Sequence, residues 1–170
     1  MRYFTIEDES MVNGPGLREI LWVSGCEHHC KECHNPETWN KEADGSKEFD
    51  TAAKKDLFKR LDRDFIDGIT ISGGDPLAPY NREEVGKLVK SIRKKFGGTK
   101  TIWIYTGYKF DEIKDLEFIK LVDVVVDEEF KIDKKDTELL WRGSSNQHLV
   151  NVAESLKAGK IIEYKHLGVK

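Results

Sequence analysis

Four short apolar runs constrain this chain more than any other feature: "REILWVSG" from Arg18, "DGITISGG" from Asp67, "TKTIWIYTG" from Thr99 and "VDVVVDEEF" from Val122. In the first, third and fourth the apolar residues fall at successive rather than alternate positions, so a strand built from them must be covered on both faces, and "DGITISGG" reads as a short buried-type strand ending in glycines. Helical patterns lie between them. "TAAKKDLFKRLDRDF" brings Phe58, Leu61 and Phe65 to one face. "NREEVGKLVKSIRKKFGG" opens with Asn81 and Glu84 as a capping-box pair, carries a stripe of Val85, Leu88, Val89, Ile92 and Phe96, and stops at Gly97-Gly98. "FDEIKDLEFIKL" predicts a third helix, while "QHLVNV" and "KIIEY" suggest two more short strands. Strands alternating with helices predict an α/β fold with a mostly parallel sheet and crossover helices. No repeat, low-complexity tract or linker divides the chain, which reads as a single domain over residues 1–170.

Such sheets gather ligands at the carboxyl ends of their strands. Each apolar run here is followed by a distinctive polar or glycine-rich segment: a cysteine loop, "SGGDP", "YTGY" and "DEEF". These four segments are expected on one rim. The Gly14-Pro15-Gly16 turn feeds the first run.

Charged residues make up 35% of the chain, but the net charge is only −3. That mixed surface points to neither nucleic acid nor an anionic membrane. The start, "MRYFTIEDES", has acids where a signal peptide needs an apolar run, and no stretch is long enough to span a bilayer. A cytoplasmic protein is expected, where clustered thiols bind metal or catalyse more often than they cross-link.

All three cysteines lie in "VSGCEHHCKECHNPETWN", with three residues between Cys26 and Cys30 and two between Cys30 and Cys33. Zinc wants a fourth ligand, which His28, His29 or His34 could supply. An iron–sulfur cluster would take three cysteines and leave one iron open. Cys30 to His34 also spells a haem-attachment sequence, but that chemistry goes with export and leaves Cys26 without a role. Three buried thiols without metal is the plain alternative; the flanking Glu27, His28, His29, Lys31 and Glu32 are residues that a core does not select. Spacing alone leaves zinc and iron–sulfur level.

"ISGGDPL" puts two glycines and Asp75 after a buried strand. Alone this is an ordinary turn. Together with Cys26-x-x-x-Cys30-x-x-Cys33 it resembles the radical S-adenosylmethionine superfamily. Within it, "NGPGLR", "LWVSGCEHHCKECHNPETW", "ITISGGDPL", "WIYTGY", "VDVVVDEEF" and "RGSSNQHLVNV" are similar, in order, to the activating proteins of anaerobic ribonucleoside-triphosphate reductase. The similarity runs from Asn13 to Val152. Two departures stand out. Glu32 occupies a place that the superfamily usually gives to an aromatic residue, and His148 stands where arginine is expected.

The resemblance implies a partial, open β/α barrel and a [4Fe-4S] cluster held by Cys26, Cys30 and Cys33. It implies that S-adenosylmethionine binds the open iron. Its ammonium would meet Gly73, Gly74 and Asp75, with the Asp75 charge strengthening those bonds. Its adenine would lie against the backbone of Glu32, Cys33 and His34, with the His34 ring stacking. Asp127 would reach the ribose hydroxyls. Thr106-Gly107 would approach the cofactor or close a turn, and Trp39 and Trp141 would pack. The roles of Asn146 and Gln147 stay open. The implied reaction is reductive cleavage to a 5′-deoxyadenosyl radical, which makes a glycyl radical on the large reductase subunit. Implied partners are that subunit and an electron donor such as flavodoxin; a homodimer is compatible. The competing readings are a radical enzyme for another substrate, of pyruvate formate-lyase activase or deazaguanine synthase type, and a zinc-binding module without catalysis.

Overall fold

The computed structural model describes residues 1–166. Seven strands form one open sheet in the order β3-β1-β2-β4-β5-β6-β7. Its middle is β2 (Arg18–Val23), β4 (Gly68–Gly73), β5 (Thr101–Tyr105) and β6 (Val124–Val126), all parallel to one another. Its edges are antiparallel: β1 (Arg2–Ser10) pairs with β2 and with β3 (Lys47–Glu48), and β7 (Leu149–Asn151) pairs with β6. The helices are α1 (Thr51–Leu61), α2 (Pro79–Phe96), α3 (Phe110–Ile113) and α4 (Val152–Ala158). The mixed α/β fold with a parallel centre agrees with the sequence pattern.

Successive residues of the central strands do face opposite ways. Leu21, Val23, Ile69, Ile71, Ile102, Ile104 and Val125 join the main core with Leu57 and Leu61 of α1 and Val85, Leu88, Val89 and Ile92 of α2. Trp103, Val124, Val126 and Leu149 form a smaller cluster, packed by Tyr105, Trp141 and Tyr164. Burying each large apolar side chain contributes about 1.5–3 kcal/mol, so the central strands hold two cores at once.

Four expectations change in detail. Helix α1 buries Ala53, Leu57 and Leu61, whereas Phe65 falls beyond its end and is exposed. Helix α2 starts two residues early, because Pro79 suits its first turn. Asn81 therefore lies inside the helix and donates its amide to the Ser24 and Asp75 carbonyls rather than capping. The third helix is one turn, α3, followed by a separate 3-10 turn at Ile119–Leu121. "KIIEY" runs beside β7 through a single bridge from Glu163 to Val150.

Strand β1 was not foreseen. Its pairing with β2 is irregular between Tyr3 and Thr5 and again between Glu7 and Ser10, so its inward residues lose the two-residue period.

Arg18 is completely buried at the start of β2, under the Trp103 ring. Its guanidinium donates to the Thr70 and Thr101 hydroxyls and to the carbonyls of Pro15, Ile69 and Thr101. Desolvation lowers its pKa to about 10, which leaves it charged at neutral pH. The turn at Gly14-Pro15-Gly16 is thereby tied to two central strands.

A second buried charge sits beside it. Glu19 has no exposed surface, meets Arg63 at 2.6 Å and leaves Oε2 without a partner. Burial, then a hydrogen bond shared with Asp8, pushes its carboxyl up to about 7. The folded protein thus holds this proton more tightly than the unfolded chain does. Stability from the group is full below about pH 4.5 and falls as pH rises to about 7, by roughly 1–3 kcal/mol allowing for nearby solvent. Asp8, held low chiefly by Arg63, acts in the opposite sense at more acid pH. Melting temperatures of Glu19→Gln and the parent between pH 5 and 8 check this. The parent's downward slope should be lost in the variant.

Among the described residues, no helix is long and apolar enough to cross a membrane.

Candidate functional site

The four post-strand segments meet on one rim. The Gly74 N–H donates to the Val23 carbonyl (2.9 Å) and the Asp75 N–H to the Gly25 carbonyl (2.7 Å), which lays "SGGDP" along the root of the cysteine loop. The Thr106 N–H donates to the Val126 carbonyl, and the Glu128 N–H to the Tyr108 carbonyl, joining the other two.

The cysteine loop closes on itself at its base. The Gly25 N–H donates to the Thr38 carbonyl and the Cys26 N–H to the Trp39 carbonyl. The Ser24 hydroxyl donates to the carbonyls of Asn40 and Lys41. His29 and Glu32 take left-handed backbone conformations, with φ of 50° and 56°, which turn the loop sharply between the thiols. All three cysteines are half-buried and free. Burial pushes the Cys26 thiol up to about 11, and desolvation also raises Cys30, so metal binding here would displace protons. The Asn35 N–H points at the Cys33 sulfur from 3.4 Å.

Cys30 and Cys33 line a cavity of about 420 Å³ with His34, Ser72, Tyr105, Phe130 and Gln147. The exposed His34 ring lies 5.5 Å from that of Phe130, tilted by 40°. Phe130 fits there because Gly143 has no side chain; a Cβ at Gly143 would stand 3.0 Å from the ring. Glu32 is exposed at the outer turn.

Asp75 is 1% exposed and its carboxylate is fully engaged. It accepts from the Leu77 N–H, the Thr106 hydroxyl, the Gly107 N–H and His28 Nε2. Its acceptor positions are taken here by the protein's own donors. Asp127 is also 1% exposed, and it accepts from the Phe110 N–H and from the backbone and ring of His148. Asp127 therefore ties the start of α3 to the entry of β7. Thr106 and Gly107 close a turn on Asp75.

"RGSSNQ" proves to be a latch for the "DEEF" segment. Gln147 accepts from the Gly143 and Ser144 N–H groups and donates to the Glu128 carbonyl. Asn146 donates to Glu128 and to the Glu129 carbonyl. Trp141 packs edge-on against Trp103, its carbonyl accepting from the Tyr105 hydroxyl. Trp39 lies 4.8 Å from the His29 ring.

His28, considered in the sequence only as one of three candidate zinc ligands, is the site residue whose bond to Asp75 sequence reasoning missed. Donation to Asp75 raises its pKa above the usual imidazole value, against the pull of burial. In the sequence it is one of three histidines beside the cysteines, and only its long-range partner separates it from the others.

Among the described residues, no three His, Cys, Asp or Glu side chains form a group that could hold a metal ion. A cluster attaches each thiolate to a different iron. Three free thiols are the donor set of a cluster that leaves one iron open, whereas a tetrahedral zinc would need a fourth ligand.

The profile of a family described as "4Fe-4S single cluster domain" matches residues 12–150. The anaerobic ribonucleoside-triphosphate reductase-activating protein of Enterobacteria phage T4 is 45% identical over 149 residues, covering 88% of this chain and 93% of its own. The chain belongs to this family of activating proteins. The activating protein of Escherichia coli K12 is 42% identical over 151 residues, covering 86% and 96%, and that of Haemophilus influenzae is 36% identical over 151 residues. The family-model match, residues 12–150, includes the "RGSSNQ" latch, and the family description supports an iron–sulfur cluster.

Proposed function

We propose that this protein activates an anaerobic ribonucleotide reductase as a radical S-adenosylmethionine enzyme. The observation that carries the reading is the near full-length identity to activating proteins, joined to three free cysteines and a glycine pair on one rim. On this reading the open sheet is a partial β/α barrel and the chain is one catalytic domain. A cluster held by Cys26, Cys30 and Cys33 would supply one-electron chemistry for reductive cleavage of S-adenosylmethionine to methionine and a 5′-deoxyadenosyl radical, and hydrogen transfer from a reductase glycine Cα would then give 5′-deoxyadenosine and the glycyl radical.

The chain's own residues bind, orient and shield. Cys26, Cys30 and Cys33 would hold three irons, with the Asn35 N–H stabilising charge on the Cys33 sulfur. Gly73 and Gly74 would let the methionine end approach the backbone closely. His34 and Phe130 form an aromatic wall that suits an adenine, next to the Glu32-Cys33 backbone. A 420 Å³ cavity is too small for a folded surface, so the reductase would offer its glycine on an extended segment. An electron donor such as flavodoxin and a reducing cytoplasm suit the same chemistry, and a homodimer is compatible with it.

The test mixes reduced, reconstituted protein with S-adenosylmethionine and the cognate reductase under anaerobic conditions. Paramagnetic resonance should show an oxygen-sensitive glycyl radical whose splitting changes when the reductase carries deuterated glycine. Methionine and 5′-deoxyadenosine should accumulate with it. Cofactor cleavage with no radical on the reductase would keep the superfamily and sink the activase reading.

A further inference from the structure

We propose that His28 is a positioning residue: through the Asp75 carboxylate it ties the Cys26–Cys30 loop to the ends of β4 and β5, and Asp75 acts through this tie. The functional consequence rests on the reading above; the tie itself does not.

A carboxylate offers about four lone-pair sites. At Asp75, Oδ1 takes the Leu77 N–H at 2.7 Å and the Thr106 hydroxyl at 2.9 Å. Oδ2 takes the Gly107 N–H at 2.9 Å and His28 Nε2 at 2.8 Å, with the same hydroxyl at 3.0 Å. Leu77 and Asp75 follow β4, Thr106 and Gly107 follow β5, and His28 alone of these belongs to the cysteine loop. The ring is held from several sides. A Cβ on Gly107 would stand 2.4 Å from His28 Cδ2, so glycine is what lets the ring lie there. The Tyr108 ring meets it edge-on at 4.6 Å, and Glu129 lies 3.3 Å from Nδ1. Cys26 and Cys30 each lie two residues from His28. Fixing the imidazole therefore fixes both thiols relative to the rim on which a cofactor would sit.

The first measurement needs no cluster. In metal-free protein, the alkylation rate of Cys26 by iodoacetamide is followed by mass spectrometry. His28→Leu fills the space but cannot donate, and should speed alkylation by roughly tenfold or more. His28→Gln carries an N–H to a similar reach and should stay close to the parent rate. Asp75→Asn should act like His28→Leu, and the double variant should be no faster than the faster single one. Glu129→Gln, at an exposed carboxylate, should change little. In reconstituted protein, the change that S-adenosylmethionine causes in the reduced cluster's resonance spectrum should be lost in His28→Leu and restored in His28→Gln.

Additive rates in the double variant, unchanged alkylation in His28→Leu, or no rescue by glutamine would each overturn the tie. A rise in Glu129→Gln equal to that of His28→Leu would do so too, by moving the anchor to Glu129. If Asp75→Asn or His28→Leu does not fold, the Glu129 and His28→Gln comparisons still decide. Failure of the parent protein to take up iron would sink the activase reading and leave the alkylation result standing.

Discussion

Cys30→Ala, reconstituted anaerobically with iron and sulfide, is expected to hold no stable [4Fe-4S] cluster and to cleave no S-adenosylmethionine above background. The chain has three cysteines and no fourth to take over a lost position. Cluster irons in this class of site are held by thiolates, and three are the least that leave one iron open for a cofactor. The same loss is expected for Cys26→Ala and Cys33→Ala. Folding should survive, because Cys30 is half-buried and its removal in metal-free protein should cost no more than about 1 kcal/mol. Iron and sulfide analysis, visible absorbance and thermal melting separate the two effects. A Cys30→Ala protein with full cluster content and normal cleavage would show that the ligands lie elsewhere.

The centre of the fold was legible because its physics is local. A strand covered on both faces is rich in apolar residues, and β2, β4, β5 and β6 show this in the sequence itself, apart from Arg18 and Glu19 at the start of β2 and Thr70 and Ser72 within β4. The edges were not legible. Strand β1 faces the core with Tyr3, Ile6 and Ser10, spacings of three and four that imitate a helix rather than a strand, because two irregularities in the pairing absorb the extra residues. Asn81 shows a similar limit. Its position before an apolar stripe suits a cap, but Pro79 starts the helix earlier and two backbone carbonyls claim the amide.

At the site, positions were readable and partners were not. Motif spacing located the thiols, Gly73, Gly74 and Asp75, and the strand pattern put them on one rim. That the Asp75 carboxylate is consumed by Thr106, Gly107, Leu77 and His28 depends on contacts between residues up to 47 positions apart. Asp127 repeats the case, since its partner His148 lies 21 residues away. Local sequence carries no sign of either pairing. The "RGSSNQ" segment was recognisable as a signature, but its work, holding "DEEF" against the cavity through Gln147, appears only once the chain is folded.

Gly74→Ala is expected to damage both the fold and the site of this protein. A Cβ at Gly74 would stand 2.4 Å from the Gly25 carbonyl oxygen, 2.8 Å from its carbon and 2.9 Å from its nitrogen. These are backbone atoms, so no flexible side chain can yield. Gly25 cannot retreat either, since its N–H is bonded to Thr38 and its carbonyl accepts from Asp75 at 2.7 Å. The clash is relieved only by separating "SGGDP" from the root of the cysteine loop. That separation breaks the Asp75–Gly25 bond and shifts the carboxylate that gathers His28, Thr106 and Gly107. The cost should be about 2–4 kcal/mol, a fall in melting temperature of roughly 5–15 °C for a chain of this size. Gly98→Ala is the matched control: nothing lies within 4 Å of its added Cβ and its backbone needs no left-handed conformation. That variant should melt within about 0.5 kcal/mol of the parent. Melting is measured first without metal, then after reconstitution. Cofactor affinity should fall in Gly74→Ala even below its melting point, because the two halves of the site are levered apart. A Gly74→Ala protein that melts with the parent and binds S-adenosylmethionine equally well would mean that the two backbones do not approach as closely as the fold requires.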